Sequence, residues 1–455
     1  HPGVARVMGT AERLAHLRDA IEHAPMGERY GRIVGFNGLV VEATGPDAHV
    51  GELCEILPRS GRASITAEVV RFAEGRVLLM PYGDVSGVSL DCRVRATGRF
   101  LDVPVGDALL GRVVDAFCAP YDDGPPLVLP QRRPLRPAPI NPMARDEIDE
   151  ALETGVKVID LFTTLGVGQR MGVFAGSGVG KSTLLGMLAR HVSADVIVIA
   201  MVGERGREVR DFLTDALGEE GRKRAVVMVA TADQPAIVRT HAVHAAHSVA
   251  EHFRDQGQSV LLILDSMTRF AMAQREIGLA IGEPPTYRGY TPSVFAQLPQ
   301  VLERCGRVAG KGAITAVYSV LVEGDDMNEP VADHMRAILD GHIVLRRELA
   351  ARGRHPAVDV LHSASRLISR VATRGEQDTV DRAREVLATL ASSKDLVDMG
   401  AYAPGQNPTL DRALAMEADL VALLRQRPEE RLGRPDALQR LTDVLQKEED
   451  HDGAR

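Results

Sequence analysis

The stretch that most constrains this chain is Gly168 to Leu185, which reads GQRMGVFAGSGVGKSTLL. A short apolar strand, Met171 to Phe174, runs into Ala175-Gly176-Ser177-Gly178-Val179-Gly180-Lys181-Ser182-Thr183, and a helical pattern follows at once through Leu184, Leu185, Met187 and Leu188. Strand, glycine-rich turn and helix in this order form a phosphate-binding loop. Each part has a task. The glycines let backbone N–H groups turn inward around phosphate oxygens. The helix N-terminus adds the positive end of its dipole. Lys181 can reach β- and γ-phosphates, and the Ser182 hydroxyl can ligate Mg²⁺. The strict pattern has Gly where this chain has Ala175, a change of one methyl group; Gly176, Gly178 and Gly180 remain.

A fold that presents such a loop needs a buried parallel sheet, and the chain beyond Ile148 has the material for one. Val196 to Val202 is a continuous apolar run rich in β-branched residues, Val260 to Leu264 is another, and Ala313 to Leu321 is a third. Such runs suit strands covered on both faces, and helical patterns alternate with them. Tyr30 to Val103 has a different texture. Short alternating runs at Arg32–Gly35, Leu39–Ala43, Ala67–Phe72 and Arg76–Met80, separated by Gly, Pro, Asp and Asn, predict a small β-barrel. Ala119 to Pro142, rich in Pro and Arg, reads as a linker or an extended crossing segment. From Thr373 onward the pattern is helical, with a break at Pro408, and predicts a bundle. Ala11 to His23 carries leucines at helical spacing and predicts a short amphipathic helix; Glu448 to Arg455 reads as frayed. The expected domains are residues 1–29, 30–103, 104–372 and 373–455.

Composition narrows the function. The chain has 455 residues, with 54 basic against 62 acidic and a net charge of −8, so no global basic field suggests nucleic-acid binding. No run of about 18 apolar residues is present to span a membrane, and the start has no signal-peptide pattern. Cys54, Cys92, Cys118 and Cys305 are scattered without CxxC pairing. They read as small buried apolar residues of a reducing compartment, not as a disulfide framework or zinc site.

Two carboxylates join the loop as candidates. Asp265 ends the apolar strand Leu261 to Leu264, where a phosphate-loop enzyme needs a group to organise the Mg²⁺ shell opposite Ser182. A strand-end Asp can equally cap the next turn, and it is the phosphate loop upstream that favours the metal role. Glu204, in Gly203-Glu204-Arg205-Gly206-Arg207-Glu208, follows the strand ending at Val202. Ligands of open α/β sheets sit beyond the carboxyl ends of strands, so Glu204 could orient the attacking water. A glutamate answering a helix dipole occupies the same kind of position, and spacing alone does not separate the two. His241, His244, His247 and His252 share one helix without acidic or Cys ligands at zinc spacing, so packing is the better reading.

These motifs together resemble the catalytic subunits of rotary ATP synthases and their export relatives. Ala175 to Thr183, Gly203 to Glu208 and Leu264-Asp265 fit that superfamily, and Pro356 to Arg366 (PAVDVLHSASR) is similar to its signature segment. Gly172 to Ser182, Phe270 to Glu276 and Gly289 to Phe295 look most like the flagellar protein-export ATPases; virulence-type secretion ATPases often carry Gly-Cys or Gly-Gly where this chain has Gly178-Val179. The resemblance covers about Tyr30 to Leu424. It implies a RecA-like phosphate-loop core with an N-terminal β-barrel and a C-terminal helical domain, and a homo-hexameric Mg²⁺-dependent ATPase. It implies Glu204 as the catalytic carboxylate with Arg205 and Glu208 in support, Asp265 and Ser182 at Mg²⁺, Arg269 toward the phosphates, and Arg366 as a finger acting on the neighbouring subunit. His355 stands where catalytic relatives often have Tyr against the adenine. The loop that is acidic in synthase subunits maps to Met399–Leu410, which has no acidic run here.

The same resemblance implies partners: a coiled-coil stalk protein in the central pore, a regulatory stator-like dimer at the N-terminal helix, export substrates with their chaperones, and an export gate at the membrane, with the enzyme cytoplasmic at the inner face of that membrane. The competing functions are a virulence-type secretion ATPase, a catalytic subunit of a proton-translocating ATPase, and a non-catalytic nucleotide-binding subunit. Non-catalytic relatives typically replace the catalytic Glu with Gln, whereas Glu204 is kept. A nucleic-acid translocase is remote, because no aromatic-basic single-strand platform is evident.

Overall fold

The computed structural model describes residues 27–59 and 62–446. The expected helix at Ala11–His23 and the frayed end at Glu448–Arg455 lie outside the described residues. The chain divides into two compact units, one ending at Leu101 and the other starting at Asp102.

The first unit is a closed barrel of six strands: Tyr30–Asn37, Val40–Thr44, Glu52–Leu57, Ile65–Ala73, Arg76–Pro81 and Arg93–Phe100. Alternation drives it. In Glu52–Leu57 every second residue is buried, and Ile33, Val41, Cys54, Ile56, Val69, Leu79 and Val94 fill the interior. The strands Glu52–Leu57 and Arg93–Phe100 were not expected from the sequence, because their glutamates and arginines dilute the apolar signal. The barrel satisfies those charges. Glu52, 1% exposed, accepts hydrogen bonds from His49 N at 3.0 Å, Gly98 N at 2.8 Å and Arg29 Nη2 at 2.6 Å.

The second unit is built on one sheet. Its strands lie in the spatial order Ala364–Ser365, Gly341–Leu345, Arg170–Ala175, Ala313–Leu321, Ser259–Asp265, Val196–Val202, Ala225–Ala230 and Val113–Val114. From Gly341–Leu345 to Val113–Val114 all neighbours are parallel. Val196–Val202 is buried at every position, as a strand covered on both faces must be. Strand order reverses at Arg170–Ala175, whose neighbours come late in the chain on both sides. A crevice opens at the carboxyl end of such a switch point, and the phosphate loop leaves the sheet there. Ala225–Ala230 and Gly341–Leu345 were missed in the sequence, being short apolar runs that read equally well as buried helix.

Within the segment Ala119 to Pro142, read from the sequence as a linker or crossing segment, Gln131–Pro134 forms an antiparallel ribbon with Asp102–Val105. The helix Ala236–Asp255 packs against four strands of the sheet and buries His241, His244, His247 and His252. His247 uses both ring nitrogens internally, on Val243 O at 2.7 Å and Tyr318 Oη at 2.9 Å. Burial and the Arg304 charge hold His247 down to about 3, so it stays a neutral packing residue. All four cysteines are buried and unpaired.

Three helices, Arg374–Asp398, Pro408–Leu424 and Arg434–Gln446, end the described chain. The first starts with a capping box between Thr373 and Glu376. Pro408 begins the second helix rather than breaking one: it sits in the first turn, where a missing N–H costs nothing, behind Asn407, whose side chain accepts from Thr409 N and Leu410 N.

Candidate active site

The phosphate-loop strand Arg170–Ala175 is buried to its carboxyl end, so the turn that follows is anchored in the core. Gly180 takes φ 94°, a left-handed conformation that side chains rarely adopt. The helix Lys181–His191 begins there with no side-chain cap, leaving its first N–H groups for an anion. Its far end is held by Arg224, whose guanidinium donates to the carbonyls of Ala189, Arg190, Val192 and Ala194.

Parallel register brings the separated candidates together. The Lys181 ammonium is hydrogen-bonded to the Asp265 carboxylate, and lies 4.0 Å from Glu204 Oε1. Asp265 also accepts from Ser319 Oγ at 2.6 Å. Glu204 is pushed up to about 7, first by burial, then by its hydrogen bond with Glu208 and the charge of Asp265, with Lys181 opposing. The bond from Glu204 holds Glu208 below the ordinary carboxylate range. Thus one carboxyl of the pair takes the proton and the other the charge.

Lys181, Glu204 and Glu208 line a pocket of about 800 Å³ together with Arg205, Arg269, Arg275, Arg288 and Arg347 and with Glu323 and Glu329. The cationic excess suits a polyphosphate. Arg269 lies on the helix Met267–Ala280, and its buried Nε has no partner among the described residues. Gly203 lets it approach: a Cβ there would meet Arg269 Cβ at 2.7 Å. Arg275, Arg288, Arg347 and Glu329 were not assigned roles from the sequence. Only the fold brings them to one rim.

A second pocket, of about 630 Å³, lies on the other side of the loop and shares Gly178, Gly180 and Thr183 with the first. His355, exposed, lines it together with Pro356, Met187, Gln426 and Arg427. The contribution of residues 425–430 had no sequence signal. Arg366 lines neither pocket. It follows the edge strand Ala364–Ser365, is exposed, and donates to Arg336 O at 3.1 Å and Ala337 O at 3.4 Å.

The residues present fit a magnesium ion carried with a nucleotide. Mg²⁺ takes one or two protein oxygens and fills its shell with phosphates and water. Ser182 and Asp265 offer such oxygens, and Ser319 orients the carboxylate. Among the described residues no group of three or more His, Cys, Asp or Glu could hold a metal by itself.

A parallel sheet with a phosphate loop at its switch point, a lysine on that loop and two carboxylates at adjacent strand ends defines a phosphate-loop ATPase. Residues 155–365 match the nucleotide-binding domain of the ATP synthase alpha/beta family, residues 33–98 its beta-barrel domain, and residues 372–443 the T3SS EscN ATPase C-terminal domain. The "Flagellum-specific ATP synthase" of Bacillus subtilis is 49% identical over 440 residues, covering 95% of this chain and 99% of that protein. The "Type 3 secretion system ATPase" of Xanthomonas euvesicatoria is 46% identical over 389 residues, covering 86% and 88%. The assembled EscN ATPase of the enteropathogenic E. coli type III secretion system superposes with a TM-score of 0.86 at 41% identity, covering 91% of this chain and all of that one; its complex with the central stalk EscO gives 0.84 at 40%. The chain belongs to the ATP synthase alpha/beta family, among its flagellum-specific and type III secretion members.

Proposed function

We propose that the chain is a Mg²⁺-dependent ATP hydrolase that assists flagellar type III protein export by unloading and unfolding export substrates from their chaperones. The observation that carries the chemistry is the convergence of Lys181, Glu204 and Asp265 at the carboxyl edge of the sheet. Lys181 and the N–H groups of the loop and helix start hold the β- and γ-phosphates. Ser182 with Asp265 would hold a bound Mg²⁺, which would supply charge neutralisation at the phosphate oxygens. Glu204 in its ionised form orients the attacking water, with Glu208 bonded to it and Arg205 supporting the charge on Glu208. Arg269 faces the phosphates. The base occupies the second pocket against His355.

Arg366 acts in a neighbouring subunit of a homo-hexamer. Its exposure and its absence from the lining of both pockets of its own chain support this, as does the assembled state of the EscN relative. A coiled-coil stalk in the pore is supported by the EscN–EscO complex. A stator-like dimer at the N-terminus, an export gate and a place at the cytoplasmic face of the inner membrane complete the proposal. Among the described residues no helix is long and apolar enough to cross a membrane.

The reading predicts ATPase activity that Glu204→Gln removes, and restored motility when the gene is expressed in a flagellated host lacking its own export ATPase. Restored virulence secretion without motility would favour the type III secretion alternative. Co-purification with a non-identical catalytic-ring partner would favour a proton-translocating ATPase.

A further inference from the structure

The segment Arg425 to Glu430 lies between the helices Pro408–Leu424 and Arg434–Gln446, and several of its hydrogen bonds reach distant parts of the chain. Gln426 is 5% exposed. Its Oε1 accepts from Lys157 N at 2.8 Å, its Nε2 donates to Gly155 O and to Glu430 O, each at 2.8 Å, and its backbone N donates to His355 O at 2.9 Å. The flanking residues tighten the same seam. Lys157 Nζ donates to Arg425 O at 2.7 Å, and His191, the last residue of the phosphate-loop helix, bonds Pro428 O at 2.8 Å.

Two consequences follow from counting donors. The helix Lys157–Phe162 has no side-chain cap of its own, and Gln426 Oε1 serves one of its orphan N–H groups. A glutamine amide has two N–H donors, and both are used on backbone carbonyls. Although Gln426 lines the second pocket, it has no donor left for a base edge. Its effect on a nucleotide must pass through the wall it holds.

We propose that Gln426 is a positioning residue for the base: it locks His355 and residues 425–430 in register with both the helix Lys157–Phe162 and the phosphate-loop helix. Base affinity is then set by the seating of the C-terminal helices. The proposal rests on reading the second pocket as the base side of the nucleotide site.

The test is calorimetric titration of the full chain with ATP, GTP and inorganic tripolyphosphate, which has phosphates and no base. Gln426→Leu removes the acceptor and both donors, and Gln426→Asn keeps the amide on a shorter arm. ATP binding should weaken about tenfold in Gln426→Leu, the effect of leaving buried carbonyls unpaired. Gln426→Asn should weaken it less, the ATP-to-GTP ratio should change, and tripolyphosphate should bind within about twofold of wild type. In turnover, the loss should fall on KM rather than kcat. Equal losses for ATP and tripolyphosphate, or a lower melting temperature with ATP affinity and the ATP-to-GTP ratio unchanged, would overturn it. If Gln426→Leu does not fold, Gln426→Asn decides by the same criteria. The underlying reading fails separately, by a wild-type control: ATP binding no tighter than tripolyphosphate, with His355→Ala neutral, would place the base elsewhere.

Discussion

Lys181 and Asp265, 84 positions apart in the chain, form an ion pair at the carboxyl edge of the sheet. The lysine that must receive phosphate is therefore held by the carboxylate assigned to the metal shell, and a nucleotide entering with Mg²⁺ exchanges one pairing for two new ones. Lys181→Ala should weaken ATP binding and abolish hydrolysis, because the β/γ-phosphate charge loses its partner. Asp265→Asn separates the two roles. It should leave Mg²⁺-free ATP binding as tight as in wild type or tighter, while Mg²⁺-dependent turnover falls about a hundredfold or more. Weaker Mg²⁺-free binding in Asp265→Asn would contradict the competition.

Glu204→Gln should keep ATP binding and lose turnover by about a hundredfold or more, the usual scale for a positioned base. Because burial and its neighbours raise Glu204 to about 7, kcat/KM should climb with pH and level off above about 7, and the variant should lack that limb. The stability effect has the opposite sense. A carboxyl raised from 4.5 in the folded state favours folding while protonated; that contribution is complete below 4.5 and is lost as pH rises through about 7. Glu204→Gln should therefore melt higher than wild type at pH 8, with a smaller difference at pH 4.5. A wild-type rate in this variant would remove the catalytic assignment.

Arg366 is predicted to act across a subunit interface. A guanidinium stays charged and can bridge two phosphate oxygens, and a finger supplied in trans contributes on the order of a thousandfold or more. Specific activity should rise with protein concentration as the ring assembles. Arg366→Ala should bind ATP and hydrolyse it poorly at every concentration. Mixing Arg366→Ala with Lys181→Ala subunits should restore part of the activity, since some interfaces then pair an intact loop with an intact finger. Absence of recovery in demonstrably mixed rings would leave Arg366 with only its contacts to Arg336 O and Ala337 O.

Arg304 offers a stability test away from the chemistry. Its guanidinium pairs with Glu251 through Nε at 2.8 Å and Nη2 at 3.0 Å, and also reaches Ser248 Oγ, Leu135 O and His244 O. Both partners are buried. Arg304→Ala leaves the Glu251 carboxylate uncompensated and should cost about 3–5 kcal/mol, read by urea unfolding. Loss of less than about 1 kcal/mol would mean that water or a rearranged side chain replaces the arginine.

What the sequence by itself determined was local chemistry. The loop Gly176 to Ser182 is contiguous, so its strand, turn and helix could be read in one window, and Val196–Val202 announced a doubly covered strand by being apolar at every position. Thr373 was legible as the start of the C-terminal helices, and its capping box lies within four residues. Spacing alone left Glu204 evenly balanced between catalysis and helix capping; the fold sets its side chain 4.0 Å from Lys181. What only the tertiary structure decided was which distant residues share a site. Ser319 meets Asp265 because two strands run parallel in one register. Arg288 reaches the phosphate-side pocket from the short turn Tyr287–Gly289, and Arg347 from the start of the helix Arg347–Ala351. Gln426 bonds to Gly155, Lys157 and His355 across long stretches of chain. In the last case the physical reason lies in the partners themselves. A buried polar group must find a partner, but backbone groups supply many of those partners, and every residue has them, so no side-chain pattern along the chain could reveal where the bonds close.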